Sequence, residues 1–363
     1  MKITKVVCTP YQIAITGGIA FGGMVMTDLD HVLVEIHTDE GLVGVGDALA
    51  RPHVYGESQK GMVAAIEQWF APALAGKDPF DRESIWNAFN KTKHNYSAKA
   101  ALDVALFDII GQACGVSCRR LLGGAADSLA VAFTCGIGAP EAVAEQALAV
   151  NAKYGIAAFK LKAGQDPKAD IRMLQAVRQA LPDSTLWLDP NEGYSGTDAV
   201  RVLRAGVELD LAWVEEPVSV NDRRGRRMAA EFGGVPVLGD DSCRTPAEVA
   251  REVDEGCVGI VGIKIARTGF TLSEQIHGYC VAKGVRMLIG SQGDTGVGTA
   301  ASWHFGAGHS LTSALPTELC FFLELDGDIV EEPPQIVGGR LTYPERPGLG
   351  VAIDRASLRR RQN

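Results

Sequence analysis

The feature that most constrains the fold is a regular alternation that begins near residue 130. Short apolar and β-branched runs alternate there with amphipathic stretches of helical period, such as PEAVAEQALAVNAKYG and DIRMLQAVRQALP. The eight short runs are LAVAFTCGI, AAFKLKAG, STLWLDPN, LAWVEEP, VPVLGDD, GIVGIKIAR, VRMLIGSQ and LPTELCFF. Eight strands separated by helices predict a parallel α/β barrel, with an open doubly wound sheet as the alternative.

The sequence on either side of this alternation has a different character. Residues 1 to about 55 alternate like antiparallel strands, and residues from about 58 to 122 carry helix-period segments. Together they predict a small α+β domain. We therefore expect an N-terminal domain over 1–125, the barrel over 126–327, and a hairpin-like C-terminal segment over 328–363 that returns to the N-terminal domain.

A single polar residue stands at the carboxyl end of each of five consecutive runs. These residues are Lys162, Asp189, Glu215, Asp240 and Lys264, and successive members are 27, 26, 25 and 24 residues apart. Each interval is about one β–α unit, and the carboxyl ends of barrel strands are where the loops build an active site. The regular spacing therefore predicts that these side chains converge on one site.

Three carboxylates from adjacent strands form an oxygen-rich group that suits a hard divalent cation. Mg²⁺ prefers oxygen ligands and keeps positions for substrate oxygens, and Mn²⁺ is a possible substitute. Without a cation, converging carboxylates would repel one another. Any one of these acids alone is as well explained as a helix N-cap or a surface acid, but the series of three favours metal ligation by Asp189, Glu215 and Asp240.

The lysines on either side of this series suggest proton transfer. Lys162 lies one strand before the carboxylates and Lys264 one strand after them, so they would approach a bound ligand from opposite sides. A divalent cation that holds a substrate carboxylate makes the α-proton more acidic, and a lysine can then remove it. Lys160 would share a face with Lys162, and a neighbouring ammonium favours the neutral, basic form of a lysine.

As an ordered set, these motifs resemble the enolase superfamily, and specifically its muconate-lactonizing-enzyme subgroup. The motifs are K-x-K at 160–162, D-x-N at 189–191, E-E-P at 215–217, D-D-S at 240–242 and K-I-A-R-T-G from residue 264. The stretches AKAALDVALFDIIGQACGVSCRRLLGG and ERPGLGVAID are similar to the family's capping-domain helix and C-terminal return. The resemblance therefore covers essentially the whole chain.

The resemblance implies a (β/α)7β modified TIM barrel with an N-terminal α+β capping domain and one essential Mg²⁺. It implies that Lys162 and Lys264 are the acid–base residues. It also implies that the first acid of each carboxylate motif, namely Asp189, Glu215 and Asp240, is a metal ligand. Asn191 and Asp241 are expected to support those ligands, and Asp241 is one methylene shorter than the glutamate that relatives commonly have. The resemblance also implies a homo-oligomer, either a dimer or an octamer.

The resemblance leaves several reactions open. Dipeptide epimerases of the subgroup carry D-x-D at the end of strand 8, whereas this chain has Glu318-Leu319-Cys320, which disfavours dipeptide epimerisation. An acid at the Glu318 position is closer to the cycloisomerases, so a muconate-type cycloisomerase acting through a metal-stabilised enolate is the favoured function. The alternatives are a racemase or epimerase of an N-acyl or cyclic amino acid, a dehydratase of a hydroxy acid or hydroxyproline, and a non-catalytic binding relative.

Substrate specificity is expected to come from loops over the barrel mouth. In the family these fall near residues 16–26, which are apolar and glycine-rich, and near residues 50–58. Arg51 and Tyr55 could bind a second carboxylate or a ring, and Asp294 and Glu318 are further candidates for substrate contact. Ordinary turn and strand-end residues are the alternative interpretation of these loops.

Composition excludes other classes of partner. The formal charge is −9 and no long basic run occurs, so nucleic acid is not an expected partner. Polar residues interrupt the N-terminal apolar stretch, and no run is long enough for a membrane span, so neither export nor a membrane is expected. The eight scattered cysteines indicate free thiols in a reducing cytoplasm.

Overall fold

The computed structural model describes residues 1–21 and 24–362 and begins with an antiparallel sheet. The sheet has the order β1 (Ile3–Phe21), β2 (Met24–Thr38) and β3 (Val43–Leu49). Its third strand carries two glycines that allow a helix to lie directly on it. A Cβ atom on Gly44 or Gly46 would lie 2.0 Å from the carbonyl oxygen of Ala105 or Ala101, respectively, so a larger residue at either position would displace that helix.

Among the described residues, six helices complete the N-terminal α+β region. They are α1 (Pro52–Tyr55), α2 (Gln59–Ala65), α3 (Ala71–Leu74), α4 (Arg82–Phe89), α5 (Tyr96–Cys114) and α6 (Cys118–Leu121), with a π-helical turn at Ile66–Phe70. Helix α5 is buried over most of its length, because the sheet covers one side and a barrel helix the other. It ends at Gly115, which has φ +69° and so closes the helix in the left-handed conformation.

The barrel is a curled, seven-stranded parallel sheet whose strands follow one another in chain order. A short strand, β4 (Leu129–Ala130), precedes it. The barrel strands are β5 (Phe133–Cys135), β6 (Ala158–Lys162), β7 (Thr185–Asp189), β8 (Trp213–Glu215), β9 (Val237–Gly239), β10 (Ile260–Ile263) and β11 (Arg286–Ile289). Neighbour-to-neighbour order with helical crossovers confirms the predicted modified TIM barrel over the open doubly wound alternative.

The run LPTELCFF does not form the regular eighth strand that the sequence predicts. Only a short bridge remains there: Ala132 N–H donates to Thr317 O at 2.8 Å, and Glu318 N–H donates to Ile289 O at 2.9 Å. These two bonds link the first and last parts of the sheet and close the barrel. The end of the run turns instead into a 3₁₀ helix, Phe321–Glu324.

Eight further helices follow. They are α7 (Pro140–Tyr154), α8 (Pro167–Ala180), α9 (Gly196–Glu208), α10 (Arg223–Phe232), α11 (Pro246–Asp254), α12 (Ile265–Lys283), α13 (Gly296–Gly308) and α14 (Arg355–Arg361). Several begin with a capping side chain; Ser195 and Thr245, for example, accept the N–H three residues later. No helix among residues 1–21 and 24–362 is long and apolar enough to cross a membrane.

The inside of the barrel is layered because side chains alternate along each strand. One layer is apolar and contains Ala132, Ala158, Trp187, Trp213, Leu238, Ile260 and Leu288. A polar layer stands two residues further along the same strands and contains Lys160, Asp189, Glu215 and Asp240. Residues of the opposite parity, such as Phe159 and Leu188, join the larger core beneath the helices. The same alternation that packs the barrel therefore also places the site.

The C-terminal segment contacts both parts of the molecule. Strands β12 (Gln335–Val337) and β13 (Arg340–Thr342) extend β4, while Leu349 N–H donates to Asp108 in α5 at 2.8 Å. Arg355 forms a two-pronged ion pair with Glu35 of β2, at 2.6 and 2.9 Å. The boundaries 1–125, 126–327 and 328–363 stay predictions.

Candidate active site

The centre of the site is Lys160, which is 3% exposed on β6. Its Nζ lies 2.8 Å from Asp189 Oδ2, 2.8 Å from Glu215 Oε1 and 2.9 Å from Glu318 Oε1. Burial alone would lower the pKa of Lys160, but these three carboxylates together raise it well above its ordinary value. Lys160 is therefore a fixed positive charge among acids.

The two other lysines flank this centre. Lys162 Nζ lies 2.6 Å from Asp189 Oδ2 and donates to Asn191 Oδ1 at 2.7 Å. Lys264 Nζ lies 2.6 Å from Asp240 Oδ2, and its stem packs against Gly290, where a Cβ would lie 3.0 Å from Lys264 Cε. Lys162 ends β6 and Lys264 follows β10, four strands later, so the two ammonium groups approach the barrel mouth from opposite sides.

The carboxylates respond differently to these neighbours. All are buried, and burial raises the pKa of a carboxyl group. The charges of Lys160 and Lys162 nevertheless lower the pKa of Asp189 to about 2. The charges of Lys264 and Arg267 likewise lower the pKa of Asp240. For Glu215, burial and the charge of Asp189 raise the pKa well above the ordinary value. The charges of these acids and lysines therefore depend on one another. We refer to Lys160, Lys162, Asp189, Glu215, Asp240, Lys264 and Glu318 as the inner cluster.

 The donor chemistry of the inner cluster fits a hard divalent cation. Asp189, Glu215 and Asp240 supply buried carboxylates at the ends of three adjacent strands. Arg267 lies 2.9 Å from Asp240 Oδ1 but is not aligned with it, so this buried oxygen has no hydrogen-bond partner among the described residues. Within residues 1–21 and 24–362, however, no three acids, histidines or cysteines are arranged to hold a metal ion, since lysines pair with these carboxylates.

Arg267 connects the inner cluster to the N-terminal domain. Its guanidinium is 1% exposed and lies 3.4 Å from Asp241 Oδ1, and its Nη1 donates to the Tyr55 hydroxyl at 2.9 Å. Gln292 Nε2 donates to the same hydroxyl at 2.9 Å. Burial raises the pKa of Tyr55, so the hydroxyl keeps its proton. Arg267 thus joins Asp241 and Tyr55, two residues that the sequence predicted for the site. Arg267 itself lies within the K-I-A-R-T-G motif, but the sequence analysis assigned it no role.

A cavity of about 740 Å³ opens above the inner cluster. Residues of the N-terminal domain form part of its wall, including Met26, Arg51 and Tyr55, and residues 133–146 form an apolar extension with Ile137 and Val143. The predicted lid at 16–26 lies partly outside the described residues, because residues 22 and 23 are not among them. Of its described part, Thr16, Gly18 and Met26 line the cavity.

Arg51 and Asp294 differ in their placement. Arg51 lines the cavity, has no carboxylate within 4.0 Å among the described residues, and contacts Met26 Sδ at 3.2 Å. Asp294 is 3% exposed and is not among the residues that line the cavity, so its contact with substrate stays a prediction. The chain turns at Gly293, with φ +110°, and the Asp294 side chain then packs against Gly298 of α13.

The residues of the Glu318-Leu319-Cys320 triplet also have distinct environments. Glu318 lines the cavity, but one of its oxygens is held by Lys160. Cys320 Sγ donates to the carbonyl oxygen of Ala132 at 3.0 Å, and burial raises the pKa of its thiol well above the ordinary value. The thiol is therefore neutral and engaged with the backbone, so it offers no charge to a substrate ammonium.

A second buried group lies behind the strand ends. Glu216 follows Glu215 and faces helix α10, where it pairs with Arg226; Arg226 also lies 3.0 Å from Glu252. Glu216 Oε2 accepts from the Asp240 N–H at 2.8 Å and from the Ser242 hydroxyl at 2.9 Å. We refer to Glu216, Arg226, Ser242 and Glu252 as the outer network. The sequence analysis gave these residues no role, although E-E-P and D-D-S contain two of them.

Gln292 is the other residue that the sequence analysis missed. It lies in the loop after β11, is 5% exposed and lines the cavity. Gln292 could have been found from its place in the stretch SQGD at a strand end. It was missed because an uncharged amide is less conspicuous than the nearby aspartate.

Comparisons with known proteins agree with this geometry. Residues 2–123 match the mandelate racemase/muconate lactonizing enzyme N-terminal domain, and residues 142–357 match the enolase C-terminal domain-like family. A muconate lactonizing enzyme of M. smegmatis, solved with muconolactone, is 37% identical with a TM-score of 0.97, and the match covers 100% of both chains.

Relatives with other activities are also similar. A hydrophobic dipeptide epimerase of Enterococcus faecalis is 30% identical, over 89% of this chain and 92% of that protein. A cis-3-hydroxy-L-proline dehydratase of Roseibium aggregatum is 32% identical, over 89% and 88%. Since both family models match and together span most of the sequence, the chain belongs to the mandelate racemase/muconate lactonizing enzyme family of the enolase superfamily.

Proposed function

We propose that this protein is a Mg²⁺-dependent enzyme that moves the proton on the carbon α to a substrate carboxylate, and that it acts as a muconate-type cycloisomerase. The observation that carries the proposal is the pair Lys162 and Lys264, which approach one cavity from strands on opposite sides of the barrel. Two such groups can serve as acid and base on the two faces of a bound acid.

Metal binding is part of the proposal. Members of this family use a divalent metal ion, typically Mg²⁺, and the dipeptide epimerase of Enterococcus faecalis has been solved with Mg. In this chain Asp189, Glu215 and Asp240 would hold the ion, and Asn191 and Asp241 would support them. A bound ion would make the α-proton more acidic by stabilising negative charge on the substrate carboxylate.

The side chains of this chain would then carry the proton. In the lactone-opening direction, the amine of one lysine takes the proton from the α-carbon, and the electron pair left there expels the ring carboxylate as the C–O bond breaks. In the closing direction the carboxylate oxygen adds to the diene and the lysine returns the proton. Lys160, held by three carboxylates, contributes a fixed positive charge beside these steps.

Two features of the cavity wall favour a diacid over a dipeptide. Cys320 offers no carboxylate for a substrate ammonium, because its thiol is bound to a backbone carbonyl. Arg51 offers a guanidinium without an acidic partner among the described residues, which suits a second substrate carboxylate. Glu318 also lines the cavity, and we count it with the substrate-contacting residues.

A second candidate is racemisation or epimerisation of an N-acyl amino acid. The cavity volume of about 740 Å³ favours it, because a six-carbon diacid would occupy only part of that space. The apolar extension around Ile137 and Val143 could hold a larger side chain. The same two lysines would serve, one removing the α-proton and the other delivering a proton to the opposite face.

The experiment is to incubate the protein with Mg²⁺ in D₂O and a panel of acids that contains cis,cis-muconate, muconolactone, N-acylamino acids and hydroxyprolines. We expect loss of the muconate diene absorbance and deuterium at the α-carbon of muconolactone. EDTA should stop both, and Mg²⁺ should restore them and raise the melting temperature. Exchange with N-acylamino acids alone would support the second candidate, and no exchange with any acid would overturn both.

The proposal also includes the cellular compartment, the oligomeric state and the partner of the enzyme. All eight cysteines are free and six are buried, as expected for a protein of a reducing cytoplasm. A homo-oligomer, either a dimer or an octamer, rests on the family resemblance. The proposed partner is a small carboxylate, and the relatives named above include enzymes solved with a dipeptide or a lactone.

A further inference from the structure

Gln292 has a polar group that the protein does not satisfy. Its side chain is 5% exposed and lines the cavity above the inner cluster. Its Nε2 donates to the Tyr55 hydroxyl at 2.9 Å, but its Oε1 is buried and has no hydrogen-bond partner among the described residues. A buried polar atom without a partner costs free energy, so a ligand that supplies the partner gains it back.

The direction of the amide decides what the unpartnered atom offers, because an amide oxygen accepts a hydrogen bond and an amide nitrogen donates one. The Tyr55 hydroxyl already accepts a hydrogen bond from Arg267 Nη1 at 2.9 Å. If Gln292 Nε2 also donates to it, the Tyr55 proton and the second amide hydrogen of Gln292 remain available. If the amide is reversed, Tyr55 donates to Gln292 Oε1 and both amide hydrogens remain available. The reversed amide is the better arrangement, because the Tyr55 hydroxyl then accepts from Arg267 and donates to Gln292, and the unpartnered atom becomes a nitrogen that offers donors.

Arg51 adds a positive charge next to this pair. A Cβ atom placed on Gly293 would lie 2.9 Å from Arg51 Nη2, so the guanidinium rests against the residue that follows Gln292. The charges of Asp294 and Asp241 act on Arg51, but neither acid pairs with it, and Asp241 lies 3.4 Å from Arg267. We refer to Arg51, Tyr55 and Gln292 as the donor wall. Its available groups are mainly donors, which suit an anionic oxygen and not an ammonium.

We propose that Gln292 is a specificity-determining residue that, with Tyr55 and Arg51, binds the second carboxylate of a dicarboxylic substrate. The inference rests on the proposed function, in that the first carboxylate is assigned to the inner cluster. It adds a residue that no sequence motif marked, and it defines the substrate class as an acid with a second carboxylate within reach of the barrel mouth.

The test compares a diacid with its monoester in a Gln292→Met variant. Methionine keeps the length of the side chain and removes its hydrogen-bonding groups. For cis,cis-muconate we expect KM to rise about 10- to 100-fold with little change in kcat, because a hydrogen bond to a charged group is lost. For muconate monomethyl ester we expect KM to change little. Gln292→Asn, which keeps the amide, should recover part of the preference for the diacid.

Gln146→Met is the matched control. Gln146 belongs to α7 and lines the apolar extension of the same cavity, and its replacement should leave the ratio of the two KM values unchanged. A general loss of fold in Gln292→Met would lower the turnover of both substrates equally, so it could not produce a KM change that is confined to the diacid. Equal loss for the diacid and the monoester would therefore overturn the inference, as would a wild-type enzyme that does not prefer the diacid.

Failure of the proposed function can be distinguished from failure of this inference. If wild-type protein does not convert muconate, the proposed function is wrong, and the same comparison is made by calorimetry with cis,cis-muconate and its monomethyl ester in the presence of Mg²⁺. Tighter binding of the free acid that disappears in Gln292→Met would support the donor wall without that reaction. Equal binding of acid and ester would overturn it.

Discussion

Glu215 and Glu216 are neighbours in sequence, yet they belong to two buried ionic groups with different properties. Glu215 faces the barrel interior and joins the inner cluster, whereas Glu216 faces helix α10 and joins the outer network. Both groups are buried except for Lys162 and Lys264 of the inner cluster, whose side chains are 16% and 12% exposed. The inner cluster lies beneath a cavity that a ligand can enter, while the members of the outer network do not line that cavity.

The difference shows how one strand end can serve two purposes. In the outer network, Glu216 accepts three hydrogen bonds at one oxygen and pairs with Arg226 at the other, so its charge is matched. In the inner cluster, the charges of Lys162 and Lys264 are exposed to the cavity. We therefore expect changes in the inner cluster to affect activity and changes in the outer network to affect stability.

The largest expected effect is the loss of activity in Lys162→Ala and Lys264→Ala. Each variant should lower kcat by about 10³-fold, within the range typical of general acid–base groups. The free energy of unfolding should change little, because Asp189 keeps Lys160 at 2.8 Å and Asp240 keeps Arg267 at 2.9 Å. The measurements are α-proton exchange in D₂O and urea unfolding. Lys168→Ala, which changes an exposed lysine of α8, is the control.

Activity near the wild-type level in both lysine variants would contradict the expectation that changes in the inner cluster affect activity. A large loss of stability in either one would show instead that the inner cluster holds the fold together in the way that we expect only of the outer network.

The second expected effect is a loss of stability in Arg226→Met. Removing the guanidinium leaves Glu216 and Glu252 buried without their main partner, which should lower the free energy of unfolding by about 3 to 5 kcal/mol. Urea unfolding measures this loss, and kcat under folding conditions should fall much less than in the lysine variants. Arg227→Met is the matched control, because Arg227 is the exposed neighbour. Equal stabilities of the two variants would contradict the structural role of the outer network.

The third effect concerns a buried contact between the barrel and the N-terminal domain. His304 Nδ1 accepts the Arg119 N–H at 3.0 Å, so its Nε2 carries the proton and donates to Leu349 O at 3.0 Å. Burial lowers the pKa of His304 from 6.5 to about 4. The contribution of His304 to the free energy of unfolding is therefore fully present above pH 6.5. It falls by about 3 kcal/mol in total as the pH decreases toward 4.

The measurement is the free energy of unfolding from pH 7 to pH 4 in wild type and in His304→Gln. The variant should be less stable at pH 7 and should lose less stability as the pH falls, because it lacks the group that titrates. His53→Gln, at an exposed histidine, should keep the wild-type pH dependence. Parallel curves for wild type and His304→Gln would contradict the assigned contribution.

The sequence allowed the barrel and much of the inner cluster to be predicted because both leave local signals. Strand alternation sends Lys160 and Lys162 to the same face, and both do line the cavity. The eighth strand was wrong because LPTELCFF has strand-like composition, whereas in the structure only Thr317 and Glu318 bond to the neighbouring strands and a 3₁₀ helix follows. Closure is a tertiary property that a local pattern does not contain.

The donor wall and the outer network could not be predicted for a related reason. Arg51 and Gln292 are 241 positions apart in the sequence and meet only because the N-terminal domain lies over the barrel mouth. Asp294 was preferred to Gln292 because a carboxylate is the more conspicuous residue, but the turn at Gly293 directs it toward α13. Likewise, Glu216 was read only as part of the E-E-P motif, and nothing in the sequence marked Arg226 as its partner.

The smallest expected effect sharpens the comparison within the outer network itself. The Ser242 hydroxyl donates to Glu216 Oε2 at 2.9 Å and accepts from Arg226 Nη2 at 2.8 Å. In Ser242→Ala both bonds are lost, but Glu216 keeps the Asp240 and Ser242 N–H groups and its pairing with Arg226. The free energy of unfolding should therefore fall by only about 1 to 2 kcal/mol. Because those N–H groups still hold the Asp240 turn, kcat should stay close to wild type, and a marked fall in kcat would show that the two groups are not independent.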